Sequence, residues 1–377
     1  MNKLLLSLLL LGVGIATTQA QVDVAQRRTL SLQMSHGVHH SDEAIGGFGY
    51  LWFNENDWPI KGTALRVVFA GLYGDAELSW FLPGSTNTSV GIGVEGGAFL
   101  GGVTPYWRGE QLEEQSFYGD MVGGRVFLNQ QIPNPTPIPI NLRGTYGLNG
   151  QFYRDTADTA NFDAPPNFLL QSLQGELRIG GVLPGLNLDR ALELYLLADV
   201  NFRTGFHAFG PVGSRFPSAS NYERFLASAT VRWPFGPVVG MLRVCGGTGN
   251  NLDELSAWSL GGNLLQVGRY SQTLHGYYVR EFLAKDFLLV NSSVSMPLGD
   301  WRELTGHVYL DHATARLLDP RTGVTAGWHD LTGLGAGISL KAWWDSTVLL
   351  SYGYGFQAVR NENRGGHEIG FALEKKF

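Results

Sequence analysis

Long runs of strict alternation constrain this chain more than any motif in it. Leu192, Leu194, Leu196, Ala198, Val200 and Phe202 form one apolar series, with Glu193, Asp199, Asn201 and Arg203 among the residues between. Ile140, Leu142, Tyr146, Leu148 and Phe152 form another, interleaved with Arg143, Thr145, Asn149 and Gln151. The same pattern closes the chain, Ile369, Phe371, Leu373 and Phe377 alternating with Glu368, Gly370 and Glu374. A period of two places successive side chains on opposite faces of a strand. Strands of about 9 to 15 residues match the length needed to cross a bilayer at a tilt. A charged second face suits a wet lumen, and only a closed sheet satisfies its backbone in lipid. The reading is therefore all-β: a single sixteen-stranded antiparallel transmembrane barrel.

Composition agrees. Charged residues make up 16% of the chain, against roughly 25% in ordinary globular proteins. Trp80, Trp233, Trp301, Trp343 and Trp344 fall near strand ends, where interfacial aromatic girdles lie. A net charge of −6 gives no basic footprint for nucleic acid. The one cysteine, Cys245, reads as a small strand side chain.

Candidate strands lie near 46–54, 62–72, 75–82, 88–100, 116–128, 137–153, 168–180, 190–204, 220–233, 236–247, 255–263, 284–298, 302–312, 333–342, 346–357 and 367–377. Residues 1–20 have a basic start, an apolar run from Leu4 to Ile15 and small residues before Gln21, as an export signal does. Residues 21–45 are left as an N-terminal arm, in which Arg28 to His39 is a seventeenth strand or part of the arm. The barrel takes 46–377.

One stretch breaks the alternation. Ser271 to Phe287, "SQTLHGYYVREFLAKDF", is aromatic and of mixed charge, and sits between clean strands. From Trp258 to Phe377 the chain resembles the BamA/TamA-type outer-membrane assembly and translocation superfamily. Leu260-Gly261-Gly262, the tip His275-Gly276-Tyr277, "REFLAKDFLLVNSSVSMPLG" through Pro297, Tyr309-Leu310-Asp311, "LGAGISLKA" and the terminal "HEIGFALEKKF" occur in the family's order. The resemblance implies sixteen strands and a loop after strand eleven that folds into the lumen. It implies a lock between the tip and inward residues of the next two strands. The family's tip arginine is His275 here and its inward glutamate is Ser293, whereas Asp311 is kept. Parity turns Ser293 and Asp311 inward. The charge facing Asp311 comes from His275, or from Arg269 or Arg280. Tyr277, Tyr278 and Phe282 give the loop, 264–283, an apolar body; His275, Arg280 and Glu281 give it polar tips. The family's soluble POTRA domains have no counterpart here, so the expectation is a barrel-only member in the outer membrane.

No Gly-x-Ser-x-Gly elbow, phosphate loop or zinc spacing occurs. His39-His40-Ser41-Asp42 reads as an exposed polar arm, and His307 and Asp311, four residues apart on one strand, stand about 13 Å apart. The expectation is neither enzyme nor cofactor. Glu193, Asp199, Arg203, Arg143 and Arg178 read as solvated lumen lining. Two functions follow. One is an assembly or translocation barrel acting on client outer-membrane or secreted proteins, or on lipid, through a weak seam between first and last strands. Gly46, Gly47 and Gly49, and then Gly370 and Phe377, would form that seam. The other is a passive diffusion channel constricted by 264–283. Outer-membrane lipid is the expected surrounding, with no nucleic-acid partner and a monomer as the assembly state.

Overall fold

The computed structural model describes residues 27–38, 46–70, 73–103, 105–136, 138–155, 161–181, 191–262, 270–299, 301–360 and 362–377. Sixteen strands form the wall: β1 Arg27–Val38, β2 Gly46–Asn56, β3 Thr63–Ala70, β4 Tyr73–Phe81, β5 Thr88–Val103, β6 Phe117–Gln131, β7 Ile140–Asp155 and β8 Phe168–Gly181. The second half comprises β9 Ala191–Thr204, β10 Asn221–Phe235, β11 Val238–Asn250, β12 Phe282–Leu298, β13 Trp301–Leu318, β14 Thr325–Ala342, β15 Ser346–Arg360 and β16 Asn363–Lys376. Each pairs antiparallel with its neighbours, and β1 pairs with β16, so the sheet closes.

The faces are inverted relative to a water-soluble protein. On β7, Asn141, Arg143 and Thr145 are buried while Leu142, Tyr146 and Leu148 are exposed. On β1, Thr29, Ser31, Gln33 and Ser35 are buried and Leu32 and Met34 exposed. Apolar residues facing out and polar residues facing in are what a bilayer outside and a polar lumen require. The start of β1 and the end of β16 lie at one end of the barrel, where Phe377 N donates to the Arg28 carbonyl (3.1 Å). The longer connections cluster at the other end. There Phe117, Phe162, Phe209 and Phe216 pack together, with Phe162–Asp163 paired to Gly210–Pro211. Outer-membrane barrels place short turns on the periplasmic side and long loops outside.

Two boundaries differ from the sequence reading. Arg27–Val38 is a wall strand rather than part of an arm, so the described barrel begins at 27, not 46. Of the candidate strand 255–263, the described residues 255–262 are not wall. Trp258, Ser259 and Leu260 are all buried, so none faces lipid, and they pair with Phe282–Ala284 of β12, beyond the end of its ladder with β11. The two differences offset each other, so the wall still has sixteen strands and the irregular segment still follows the eleventh. The seam moves as a result. Gly46, Gly47 and Gly49 pair with Ser35, Met34 and Leu32 of β1, not with β16. The closure runs from Thr29–Lys376 to Val38–His367, over most of β1, with Gly370 opposite Ser35. The segment 1–20, His39-His40-Ser41-Asp42 and Arg269 lie outside the described residues.

Candidate functional site

Between β11 and β12 the chain makes a strap, described at 251–262 and 270–281. Its first anchor is Asp253, whose carboxylate takes Arg203 Nη1 at 2.5 Å and Nη2 at 3.1 Å. The Arg203 guanidinium lies 4.4 Å from the ring centres of Phe206 and Tyr222. A bidentate pair between aromatic faces fixes orientation as well as position. Ser259 then hydrogen-bonds Tyr270 across the strap, and Trp258 packs on Phe287 of β12.

The tip His275-Gly276-Tyr277 rests on a cross-strand row. Asn291, Asp311, Gly333, Gly355 and Gly366 stand in register on β12, β13, β14, β15 and β16. Asp311 Oδ2 accepts from His275 N (2.9 Å) and lies 2.5 Å from its Nδ1. Oδ1 accepts from Asn291 Nδ2 (2.8 Å). The imidazole stacks on Tyr309, ring centres 4.3 Å apart and planes 14° from parallel. The three glycines admit the backbone of the tip. A Cβ on Gly333 would lie 2.2 Å from the His275 carbonyl oxygen, and one on Gly355 would lie 2.7 Å from that of Gly276. Gly276 itself has φ +82° and approaches Gly355 N too closely for any side chain. The Tyr277 hydroxyl lies 3.0 Å from the Thr332 carbonyl and accepts from Gln357 N at 3.2 Å.

Beyond the tip, Glu281 is held by Arg360 Nη1 (2.6 Å) and Nη2 (2.8 Å) and accepts from Tyr278 N (2.8 Å). Both charged side chains are almost wholly buried, 3% and 4% exposed, so their pairing and remaining hydrogen bonds must offset desolvation. Arg360 also lies 3.6 Å over the Tyr278 ring. Tyr270 donates to Asp199 (2.8 Å) and accepts from Gln174 (3.1 Å), and Arg243 donates to Gln272 (2.7 Å). Side chains of the strap thus reach wall strands from β8 to β15.

The opposite wall carries an ion-pair lattice. Glu77 takes Arg66 (3.0 Å), Arg125 (2.7 Å) and Arg143 (2.6 Å), and Arg125 also reaches Asp75 (2.6 Å) and Glu95 (3.0 Å). The lumen charges are therefore paired rather than free lining: Arg178 with Glu193, Arg224 with Asp199, Arg203 with Asp253, Arg143 with Glu77.

Of the residues singled out in the sequence, His275, not Arg280, meets Asp311. Arg280 is exposed at φ +62°. Ser293 is buried in the wall opposite Tyr309, beside the tip rather than on it. Phe282 opens β12 and packs edge-on against Tyr277 at 5.4 Å. Arg360, Arg203 with Asp253, and the glycine row were not anticipated. Glu254 is a further surprise. It is buried, neither carboxylate oxygen has a hydrogen-bond partner among the described residues, and burial with Asp253 beside it pushes its pKa up to about 8, against the pull of Arg280.

No family model matches the sequence, and no curated protein matches it. Solved structures do match in fold. CdiB from Acinetobacter baumannii superposes with a TM-score of 0.57 at 12% identity over 93% of this chain and 60% of that one. BamA from Haemophilus ducreyi, solved without POTRA domains 1–3, gives 0.57 at 10% identity over 93% and 70%. CdiB from Escherichia coli gives 0.55 at 15% identity over 92% and 63%. The chain spans about 60 to 70% of the length of these proteins. At such identities the likeness is one of architecture: this chain is a closed sixteen-stranded antiparallel β-barrel with the fold of the BamA and CdiB barrels.

Proposed function

We propose that the chain is a protein assembly or translocation barrel whose lumen is governed by the strap. The supporting observation is the seating of His275-Gly276-Tyr277 on the row from Asn291 to Gly366, with Asp311 at its polar end. A channel for small solutes gains nothing from such a seat. A barrel that must stay sealed until a client arrives needs a plug with its own latch. The strap holds β8 to β15, and the ion-pair lattice holds β3 to β7. The β1–β16 closure and β2 lie between these braced halves. A client strand that pairs with an edge opened there would bind by β-augmentation.

The test is a pair of measurements on the full chain in lipid. In proteoliposomes it should speed the folding or passage of an unfolded outer-membrane client, and Asp311→Asn should reduce that effect. In planar bilayers it should be mostly closed, with brief openings. A large steady current with no effect on the client would make it a diffusion channel and overturn the proposal.

A further inference from the structure

The membrane-facing wall carries a groove of about 920 Å³ that the strap does not use. Its floor is made of small outward residues in neighbouring strands: Gly175 of β8, Ala198 of β9, Ala227 of β10 and Gly246 of β11. Gly175 and Ala198 are cross-strand partners, as are Ala227 and Gly246. A Cβ built on Gly175 meets nothing within 4 Å. Leu142, Leu196 and Phe225, all exposed, form the sides. The groove crosses the strands instead of following one, because its floor is built along the rows of the sheet.

Its two ends differ. At β8 and β9 it lies among exposed apolar residues such as Leu173 and Leu194. At β12 to β14 it ends at Asp286, Arg316 and Trp328. Apart from Ser292, which donates to the Leu310 carbonyl, the lipid-facing series there is apolar up to Leu288, Leu310 and Leu334, and changes beyond them to Asp286, His312, Thr314, Arg316, Thr332 and Asp330. That change marks the edge of the hydrocarbon band, on the side of the long loops. The groove therefore rises from hydrocarbon to headgroup level. Arg316 stands at the top, its side chain 43% exposed. Asp286 takes Arg316 Nε at 2.6 Å, pairs with its Nη2 as well, and takes the Thr248 hydroxyl at 2.5 Å, which holds the guanidinium in place while Nη1 has no partner among the described residues.

We infer that this groove binds one acyl chain of an outer-leaflet lipid, with the lipid's anionic phosphate headgroup on Arg316. The surroundings select the occupant. Away from the Asp286–Arg316 end, the side chains exposed along the groove, Leu142, Leu196 and Phe225, are apolar and face lipid, so a soluble ligand would not reach it. The strands beneath are paired on both sides, so no edge is free for a peptide. Arg316, the one cation of the lining among the described residues, sits where a headgroup phosphate would lie, and guanidinium recognises phosphate through several hydrogen bonds at once.

The experiment uses the full chain in bilayers that contain phosphatidylglycerol with a diazirine on one acyl chain. Light-driven crosslinks are then mapped by peptide mass spectrometry. Crosslinks should concentrate on residues 173–177, 194–200, 225–229 and 242–248. Gly175→Leu and, separately, Ala227→Leu fill the floor and should remove that concentration. Either variant is kept only if it retains the heat-modifiable gel mobility of a folded barrel. Arg316→Gln should abolish a roughly fivefold preference for phosphatidylglycerol over phosphatidylcholine at the same peptides. Crosslinks spread evenly around the sixteen strands, or unchanged in folded Gly175→Leu and Ala227→Leu, would overturn the groove. Equal labelling by the two lipids in the parent chain would overturn the headgroup assignment.

Discussion

At the scale of single residues, the tip is held by one charge and by missing side chains. Asp311→Asn keeps the shape but removes the charge that His275 and Asn291 share. It should weaken the latch by about 1–3 kcal/mol, the cost of an under-satisfied buried polar group. Faster proteolysis within 270–281 is the measurement. Gly333→Ala should have a larger effect, because the new methyl lies 2.2 Å from a backbone oxygen that cannot swing away. Gly144→Ala is the matched control, since its Cβ would meet nothing within 4 Å. Breaking the buried pair by Glu281→Gln should cost about 3–5 kcal/mol, because Arg360 is left charged and buried; the thermal midpoint of the barrel reports it. Asp311 was legible in the sequence because parity turns it inward and the tip motif lies upstream. Arg360 was not. The outward series Leu350, Tyr352, Tyr354 and Phe356 would turn it to lipid, but an irregularity between Gly355 and Val359 reverses the parity. A bulge leaves no mark in a pattern of period two.

At the scale of elements, the strap joins strands that are far apart in sequence, so its anchors carry no local signal. Arg203 and Asp253 are fifty residues apart, and Glu281 and Arg360 seventy-nine. The glycine row is hidden for the same reason: Gly333, Gly355 and Gly366 look like ordinary strand glycines until the register aligns them. In the sequence β1 stays open between a strand and an arm because its apolar face is short, while 255–263 resembles a strand because it carries no charge and is rich in apolar residues. The strap should also respond to pH through Glu254. Its pKa is raised from the ordinary 4.5 to about 8, so the folded protein holds a proton that the opened strap releases. Between those values stability falls as pH rises. The contribution is whole below 4.5 and is lost through about 8. Protection of 251–262 against proteolysis should therefore decline over that interval, and Glu254→Gln should flatten the decline. An unchanged slope in the variant would assign the response elsewhere.

At the scale of the whole molecule, bracing is uneven around the wall. The strap and its ion pairs stiffen β8 to β15, and the arginine–carboxylate lattice stiffens β3 to β7. Strand pairing alone does not distinguish the β1–β16 closure, whose ladder runs most of the length of β1. What distinguishes it is its place between two rigid bodies, where a relative displacement would concentrate. Glycine lowers the cost of parting strands there, because Gly370 offers Ser35 no side chain to pack against. Ser35→Cys with Gly370→Cys, a cross-strand pair in the observed register, should therefore form a disulfide in the resting barrel and lock it. The locked barrel should fold and insert normally but lose its effect on an unfolded client, and reduction should restore that effect. The same bridge placed one strand pair away from the closure, Ser351→Cys with Gly370→Cys across β15 and β16, should leave the effect intact. Equal loss from both bridges would mean that general stiffening, rather than opening at the closure, controls activity.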